Sequence, residues 1–221
     1  MRIFQKLVAA LGLGLLALSC GASPSSPQNK VDFRTLDKPQ QTASGKQVEV
    51  TEFFSYACDH CNAFDPELTA WAKKQGDKIA FKRVPVAFRD FMVPQQKLFY
   101  ALEALGKLDE LHHKVFAAIH VQKQPLNTDA AVTAFAVGQG IDKQKFVDAY
   151  QSFGVHCNVA RATQMQQAYQ VDGVPMIAVD GRYLTSPGVL AESMGSRQVP
   201  VLHAATFQVM DWLVEQARKA K

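Results

Sequence analysis

Residues 48–61 read VEVTEFFSYACDHC, an apolar segment rich in β-branched and aromatic residues that runs directly into a Cys-x-x-Cys pair. The composition of Val48 to Phe54 predicts a central β-strand. Asn62 to Gln75 has the apolar periodicity of a helix that Gly76 ends. A strand that leads into a helix in this way brings Cys58 to the first helical turn, where free backbone N–H groups and the helix dipole favour an anion. We therefore expect a lowered pKa for Cys58.

A thiolate at Cys58 would make the pair reactive, because the thiolate is the species that attacks disulfides. Cys61 lies one helical turn further on, at a separation suited to a disulfide. The alternative is half of a zinc site, which needs a second pair of ligands. Cys157 with Asn158 offers none. The sequence therefore predicts a thiol–disulfide oxidoreductase with no metal and no cofactor.

Composition and the N-terminus indicate an exported globular protein. The chain has 221 residues, 48% of them hydrophobic, and a formal net charge of +4 without a block of like charge, which argues against nucleic acid or an anionic membrane surface as partner. Arg2 and Lys6 precede an uncharged apolar stretch from Leu7 to Leu18. That stretch is shorter than the roughly 20 residues of a membrane-spanning helix. We interpret residues 1–22 as a secretory signal peptide.

The end of this segment has two interpretations. Cys20-Gly21-Ala22 and Ala17-Leu18-Ser19 both offer the small residues that signal peptidase reads. Ala17-Leu18-Ser19-Cys20 is also similar to a lipoprotein box, with Ala17 where Leu is usual. We expect a soluble protein in an oxidising periplasm, with a lipid anchor on Cys20 as the alternative. Residues 23–30 are interpreted as a disordered leader rich in Ser and Pro.

The remaining sequence predicts an α/β domain interrupted by helices. Residues 91–155 repeat apolar side chains with helical period, which predicts a helical insertion domain. The surrounding domain would consist of residues 31–90 and 156–221. Its expected elements are strands at 31–36, 48–54, 79–86, 176–179 and 182–184, helices at 62–75, 155–171 and 202–219, a hairpin turn at Asp180-Gly181, and a loop over 187–199.

This order of elements resembles the DsbA family of periplasmic dithiol oxidases. The motifs that carry the resemblance are Phe53 to Cys61 and Gly173-Val174-Pro175, and the resemblance covers essentially all of residues 30–221. It implies a thioredoxin fold with an inserted all-helical domain. It also implies that a Cys58–Cys61 disulfide is donated to newly exported proteins through a mixed disulfide on Cys58. A monomer recharged by a membrane quinone-linked reoxidase of the DsbB type is implied as well.

The resemblance assigns roles around the cysteines. Pro175 is implied to be cis and to face the pair, so that the backbone of Val174 can bind an extended substrate. His60 is expected to favour the Cys58 thiolate. Asp59 stands where the family commonly has Pro, and its carboxylate disfavours the thiolate, so we expect an enzyme somewhat less oxidising than a relative with Cys-Pro-His-Cys.

Glu52 matches the buried acid of the family that helps proton transfer at the inner cysteine, with Lys82 as its charged partner. The alternative is a carboxylate that faces solvent at a strand edge. Asp65 is a weaker candidate of the same kind. Of the remaining groups, Cys157 is expected to be buried and inert, with a second reactive thiol at a helix start as the alternative. Four histidines are expected to be surface or capping residues: His112, His113, His120 and His156.

Two other functions fit the same pattern. A disulfide isomerase or reductase would carry an added dimerisation domain or a membrane-tethered electron supply, and residues 23–47 are too few for such a domain. A non-catalytic holdase would bind peptides on the helical insertion. Substitution of Cys58 would distinguish the two classes, since only an enzyme depends on it.

Overall fold

The computed structural model describes residues 26–221. The predicted signal peptide, Cys20 and the first part of the leader lie outside these residues. The described chain forms a five-stranded sheet in the order β1-β5-β4-β2-β3, in which β2 and β3 are parallel and the other neighbours antiparallel. The strands are β1 (Arg34–Thr35), β2 (Val48–Phe54), β3 (Ile79–Pro85), β4 (Met176–Val179) and β5 (Tyr183–Thr185). The helices are α1 (Asp59–Gln75), α2 (Val93–Ala104), α3 (Leu108–His120), α4 (Asp129–Gly138), α5 (Lys143–Tyr150), α6 (Phe153–Ala168), α7 (Pro187–Met194) and α8 (Val199–Lys219).

The sheet is covered on both faces, which explains why all seven residues of β2 are buried. Side chains alternate between the faces along a strand. Met176 and Ala178 of β4 pack with the core shared by α2 to α6, whereas Ile177 and Val179 pack with the core shared by α1 and α8. The predicted central strand is therefore confirmed, and its carboxyl end delivers the Cys-x-x-Cys segment to the start of α1.

Five helices, α2 to α6, lie between β3 and β4 in the chain. This is a thioredoxin fold with helices inserted before its β-hairpin. The insertion boundaries at residues 91 and 155 stay a prediction, since α6 runs across the second of them. Within residues 26–221, the helices lack the combination of length and apolarity that a membrane span requires.

The expected loop over 187–199 is wrong, because α7 occupies its first half. The Ser186 hydroxyl accepts a hydrogen bond from the Val189 N–H at 3.1 Å, and Pro187 occupies the first turn. Gly195 ends the helix in the left-handed conformation, with φ of 60°. These are ordinary capping signals. The burial of Leu190 then fixes the short helix to the core.

The hairpin at Asp180-Gly181 is confirmed, and both residues have positive φ angles, 52° and 65°. Such a pair is typical of a two-residue turn between antiparallel strands. Glycine is required at the second position, because a Cβ on Gly181 would lie 2.2 Å from the backbone oxygen of Gln40.

Candidate active site

Cys58 is the N-cap of α1, and its sulfur occupies the place that a capping oxygen usually takes. The Cys61 N–H donates to Cys58 Sγ at 3.2 Å. Cys58 is half-buried, and its pKa is lowered, first by a hydrogen bond from the Cys61 thiol and then by the backbone N–H groups of Cys61 and His60. Burial and the Asp59 carboxylate oppose this effect without reversing it. The structure therefore places Cys58 at the helix start, where its thiolate is stabilised, as the sequence predicts.

Cys61 lies beneath Cys58 and is completely buried. Burial raises the pKa of Cys61 well above its usual range, and the neighbouring Cys58 raises it further. The two sulfurs are not bonded to each other in the structure. The two cysteines thus differ in the way an asymmetric redox pair requires: the outer one stabilises a negative charge and the inner one holds its proton.

The Val174–Pro175 peptide bond is cis, as the resemblance implies. The Val174 carbonyl accepts a hydrogen bond from the Cys58 thiol at 3.3 Å, so this loop lies against the reactive sulfur. A cleft of about 810 Å³ opens beside it. The residues that line the cleft include His60, Val174, Pro175, Ser186, Val189 and Leu202.

Glu52 is buried on β2, with 1% of its surface exposed, and the alternative of a solvent-facing carboxylate is wrong. Its partner is Arg83, whose Nε lies 2.9 Å from Glu52 Oε2. Lys82 was expected in this place, and that assignment is wrong: the parallel register sets Arg83 beside Glu52, and side chains alternate along β3. Lys82 pairs with Glu49 instead, at 2.7 Å.

Arg83 also contacts Asp65 on α1 at 2.8 Å, so one guanidinium serves two buried carboxylates. Burial raises the pKa of Glu52 to about 7, although the charge of Arg83 opposes the rise. Burial also acts on Asp65, but His112 and Arg83 beside it hold the pKa of Asp65 below its ordinary value. Glu52 is therefore the carboxyl group of this cluster that can exchange a proton near neutral pH.

His112 is buried rather than at the surface, which corrects the sequence-based expectation. Its Nδ1 lies 2.7 Å from the Tyr56 hydroxyl, and its Nε2 lies 3.2 Å from Asp65 Oδ1. Burial lowers the pKa of His112. The ring therefore lies between the loop before Cys58, which it contacts through the Tyr56 hydroxyl, and the Asp65 carboxylate.

His120, expected to be a surface or capping residue, is a second correction. Only 10% of its side chain is exposed. Nδ1 lies 2.7 Å from Asp59 Oδ1, and Nε2 lies 2.8 Å from the carbonyl oxygen of Tyr56. A sequence signal for both histidines existed, since His112 and His120 flank buried Phe116 at a spacing of four residues on α3, the spacing that places side chains on one helix face.

The remaining candidates lie apart from this cluster or contribute little to it. His60 is exposed, and its ring makes no hydrogen bond within residues 26–221; its backbone N–H, however, helps to lower the Cys58 pKa. Cys157 is exposed on α6, which contradicts the expected buried position. His113 and His156 are exposed, as expected. In the described part of the chain, no group of three His, Cys, Asp or Glu residues is arranged to hold a metal ion.

A structural disulfide, which only stabilises a fold, does not require its two cysteines to differ in pKa. Here the pKa of Cys58 is lowered and that of Cys61 is raised. The fold and this asymmetry define a thiol:disulfide oxidoreductase with a thioredoxin fold. Residues 49–205 match the family described as DSBA-like thioredoxin domain. The chain is 44% identical to the thiol:disulfide interchange protein DsbA of Burkholderia cepacia over 98% of this chain and 99% of that one. It is 38% identical to the protein of the same name from Bordetella pertussis, over 98% of each chain.

Solved structures agree with the sequence relatives. The crystal structure of Pseudomonas aeruginosa DsbA is similar to this chain with a TM-score of 0.76 and 32% sequence identity, over 86% of this chain and 93% of that one. The chain therefore belongs to the DsbA family of thiol:disulfide oxidoreductases.

Proposed function

We propose that this chain is a dithiol oxidase that donates the Cys58–Cys61 disulfide to newly exported proteins. The observation that supports the proposal best is the lowered pKa of Cys58 at the N-terminus of α1. A thiol with a low pKa is a good leaving group, so transfer of the disulfide to a substrate is favoured over its retention.

The reaction has two exchange steps. A substrate thiolate attacks Cys58 Sγ of the oxidised protein, the Cys58–Cys61 bond breaks, and Cys61 leaves and takes up a proton. The second thiolate of the substrate then attacks its own sulfur in the mixed disulfide, and Cys58 leaves as a thiolate. The substrate has lost two electrons to the protein, which now holds both cysteines reduced.

We assign Glu52 as the group that exchanges the proton of Cys61. Its pKa of about 7 lets it give up and regain a proton near neutral pH, and its charge acts on Cys61. Arg83 is a positioning residue, because it fixes Glu52 and balances its charge when it ionises. Asp65 acts through Arg83, which it holds from the other side at 2.8 Å, and its own negative charge raises the pKa of Glu52. Lys82 has no part in this assignment, since its partner is Glu49.

The cleft beside the cis proline is the proposed substrate site. An extended peptide can add to the backbone at Val174 in the manner of an extra strand, which holds a cysteine of the peptide against Cys58. The apolar side chains of Pro175, Val189 and Leu202 in the cleft suit segments of an unfolded protein. His60 lines the same cleft and would contact the bound substrate.

We also propose partners and a location, which the family and the chemistry support. Substrates would be reduced proteins that reach the periplasm. Because every turnover leaves the dithiol reduced, an electron acceptor must recharge it, and we propose a membrane quinone-linked reoxidase of the DsbB type. The protein would act as a periplasmic monomer, either free or tethered through a lipid on Cys20.

Disulfide transfer to a reduced peptide with two cysteines tests this function. We expect the oxidised protein to oxidise the peptide rapidly, and the Cys58–Cys61 couple to be strongly oxidising when equilibrated with glutathione. Cys58→Ser should abolish transfer. Cys157→Ser is the matched control and should leave it unchanged, since Cys157 is an exposed cysteine on another helix.

The alternative functions give different results. A couple that keeps its disulfide in the presence of reduced glutathione would indicate a reductase. Recovery of scrambled substrates by the reduced protein, without net oxidation, would indicate an isomerase. If Cys58→Ser still promotes substrate folding as well as the unmodified protein does, the holdase is the better description.

A further inference from the structure

We propose that His120 on α3 is a positioning residue of the redox site that supplies the positive charge offsetting Asp59. The helical insertion would thereby control the electrostatics next to Cys58. This inference rests on the proposed function, because it takes Cys58 as the sulfur whose negative charge matters.

The hydrogen bonds of His120 identify its charge. Its Nδ1 faces the Asp59 carboxylate at 2.7 Å and its Nε2 faces the Tyr56 carbonyl at 2.8 Å. An ionised carboxylate and a backbone carbonyl both accept hydrogen bonds and cannot donate them. A neutral imidazole has a single N–H and would leave one of these contacts without a proton, whereas an imidazolium donates in both directions. The geometry therefore fits the protonated ring.

The difference in burial indicates that His120 is the fixed member of the pair and Asp59 the member it orients. The His120 side chain is 10% exposed and packs against Phe116, with ring centroids 6.0 Å apart. The Asp59 side chain is 93% exposed. The fixed ring thus holds a carboxylate that would otherwise be free in solvent one residue from Cys58, at the first position of α1.

The Asp59 charge matters because it raises the pKa of Cys58 and so acts against the thiolate. An adjacent imidazolium offsets that charge. Titratable groups near the pair include Cys58 and His60, which flank Asp59 on the chain, and His112, which lies two turns away on α3 and contacts Tyr56. None of these supplies a second hydrogen bond to the Asp59 carboxylate within residues 26–221.

Four proteins test the proposal: the unmodified chain, His120→Gln, Asp59→Asn and the double variant. Gln keeps a donor for the Tyr56 carbonyl but cannot carry the charge. The measurements are the equilibrium constant of the Cys58–Cys61 couple with glutathione and the Cys58 pKa, both near neutral pH. His113→Gln is the matched control, because His113 is an exposed histidine on the same helix.

In His120→Gln we expect a higher Cys58 pKa and a couple about fivefold less oxidising, which corresponds to about 1 kcal/mol, the upper end of the range for ion pairs in contact with solvent. Asp59→Asn alone should change little, because it removes the carboxylate together with the reason for His120 to stay protonated. The double variant should return to the unmodified equilibrium. His113→Gln should have no effect.

An unchanged equilibrium in His120→Gln would overturn the proposal. An equal loss with and without Asp59 would also overturn it, since His120 would then act through packing alone. Nitrogen NMR of labelled histidine gives a separate readout on the unmodified protein: both ring nitrogens of His120 should carry protons at neutral pH, and an unprotonated nitrogen contradicts the assignment. If the unmodified couple proves to be reducing, the proposed oxidase function fails, whatever the variants show.

Discussion

Replacement of Glu52 by Gln should change how the stability of this protein depends on pH. The side chain is buried, and its pKa is raised from the ordinary value of 4.5 to about 7. Between these values the folded protein binds more protons than the unfolded chain. The free energy of unfolding must then fall as pH rises through this window. The contribution of Glu52 to stability is lost once the pH is above about 7.

The size of the effect follows from the displacement of the pKa. A change from 4.5 to about 7 corresponds to about 3 kcal/mol, because one pH unit is about 1.4 kcal/mol. Gln cannot ionise, so Glu52→Gln removes this contribution. Arg83 retains Asp65 as a partner at 2.8 Å in the variant, which avoids an unpaired buried cation.

The measurement is denaturant unfolding of both reduced proteins at about pH 4 and about pH 8. Titration of Cys58 is common to the two proteins and largely cancels in their difference. The free energy of unfolding of the variant minus that of the unmodified protein should increase by about 3 kcal/mol from about pH 4 to about pH 8. The same difference in stability at both pH values would refute a buried Glu52 with a raised pKa.

Two further predictions concern the cysteine pair and the hairpin. The reduced protein should unfold at a higher denaturant concentration than the oxidised one, because α1 stabilises the Cys58 thiolate; a later transition for the oxidised protein would contradict the oxidase assignment. Gly181→Ala should lower the free energy of unfolding by more than about 2 kcal/mol, because the new Cβ would clash with the backbone of Gln40 at a residue with positive φ. The control Gly140→Ala, which has positive φ but open space around the Cβ, should lower it by about 1 kcal/mol. Equal melting temperatures of the two variants would show that the clash with Gln40 is relieved.

The fold could be predicted from the sequence where the decisive signals are local. β2 begins and ends at the predicted residues, Val48 and Phe54, because its β-branched and aromatic residues are concentrated in that segment. The turn at Asp180-Gly181 carries its signal in two residues. The local signals of α7 were present too, but a helix of eight residues is too short to show a clear period.

The features of the site that depend on neighbouring residues in the sequence were predictable, whereas the contacts between distant segments were not. The position of Cys58 at a helix start depends on its immediate neighbours, and the structure agrees. The choice of Arg83 over Lys82 depends on the register between β2 and β3, which no single strand encodes. The contact of His120 with Asp59 spans 61 residues and depends on how α3 packs against α1.

Tyr56 is bound at both ends by one helix: its hydroxyl contacts His112 and its carbonyl contacts His120. The loop before the cysteines is therefore completed by residues that fold as part of the insertion. Transplanting the segment from Tyr56 to Cys61 into a thioredoxin without these helices would leave the Tyr56 hydroxyl without His112 and the Asp59 carboxylate without His120. The segment from Tyr56 to Cys61 therefore depends on α3, and a design that transfers this segment to another protein must transfer α3 as well.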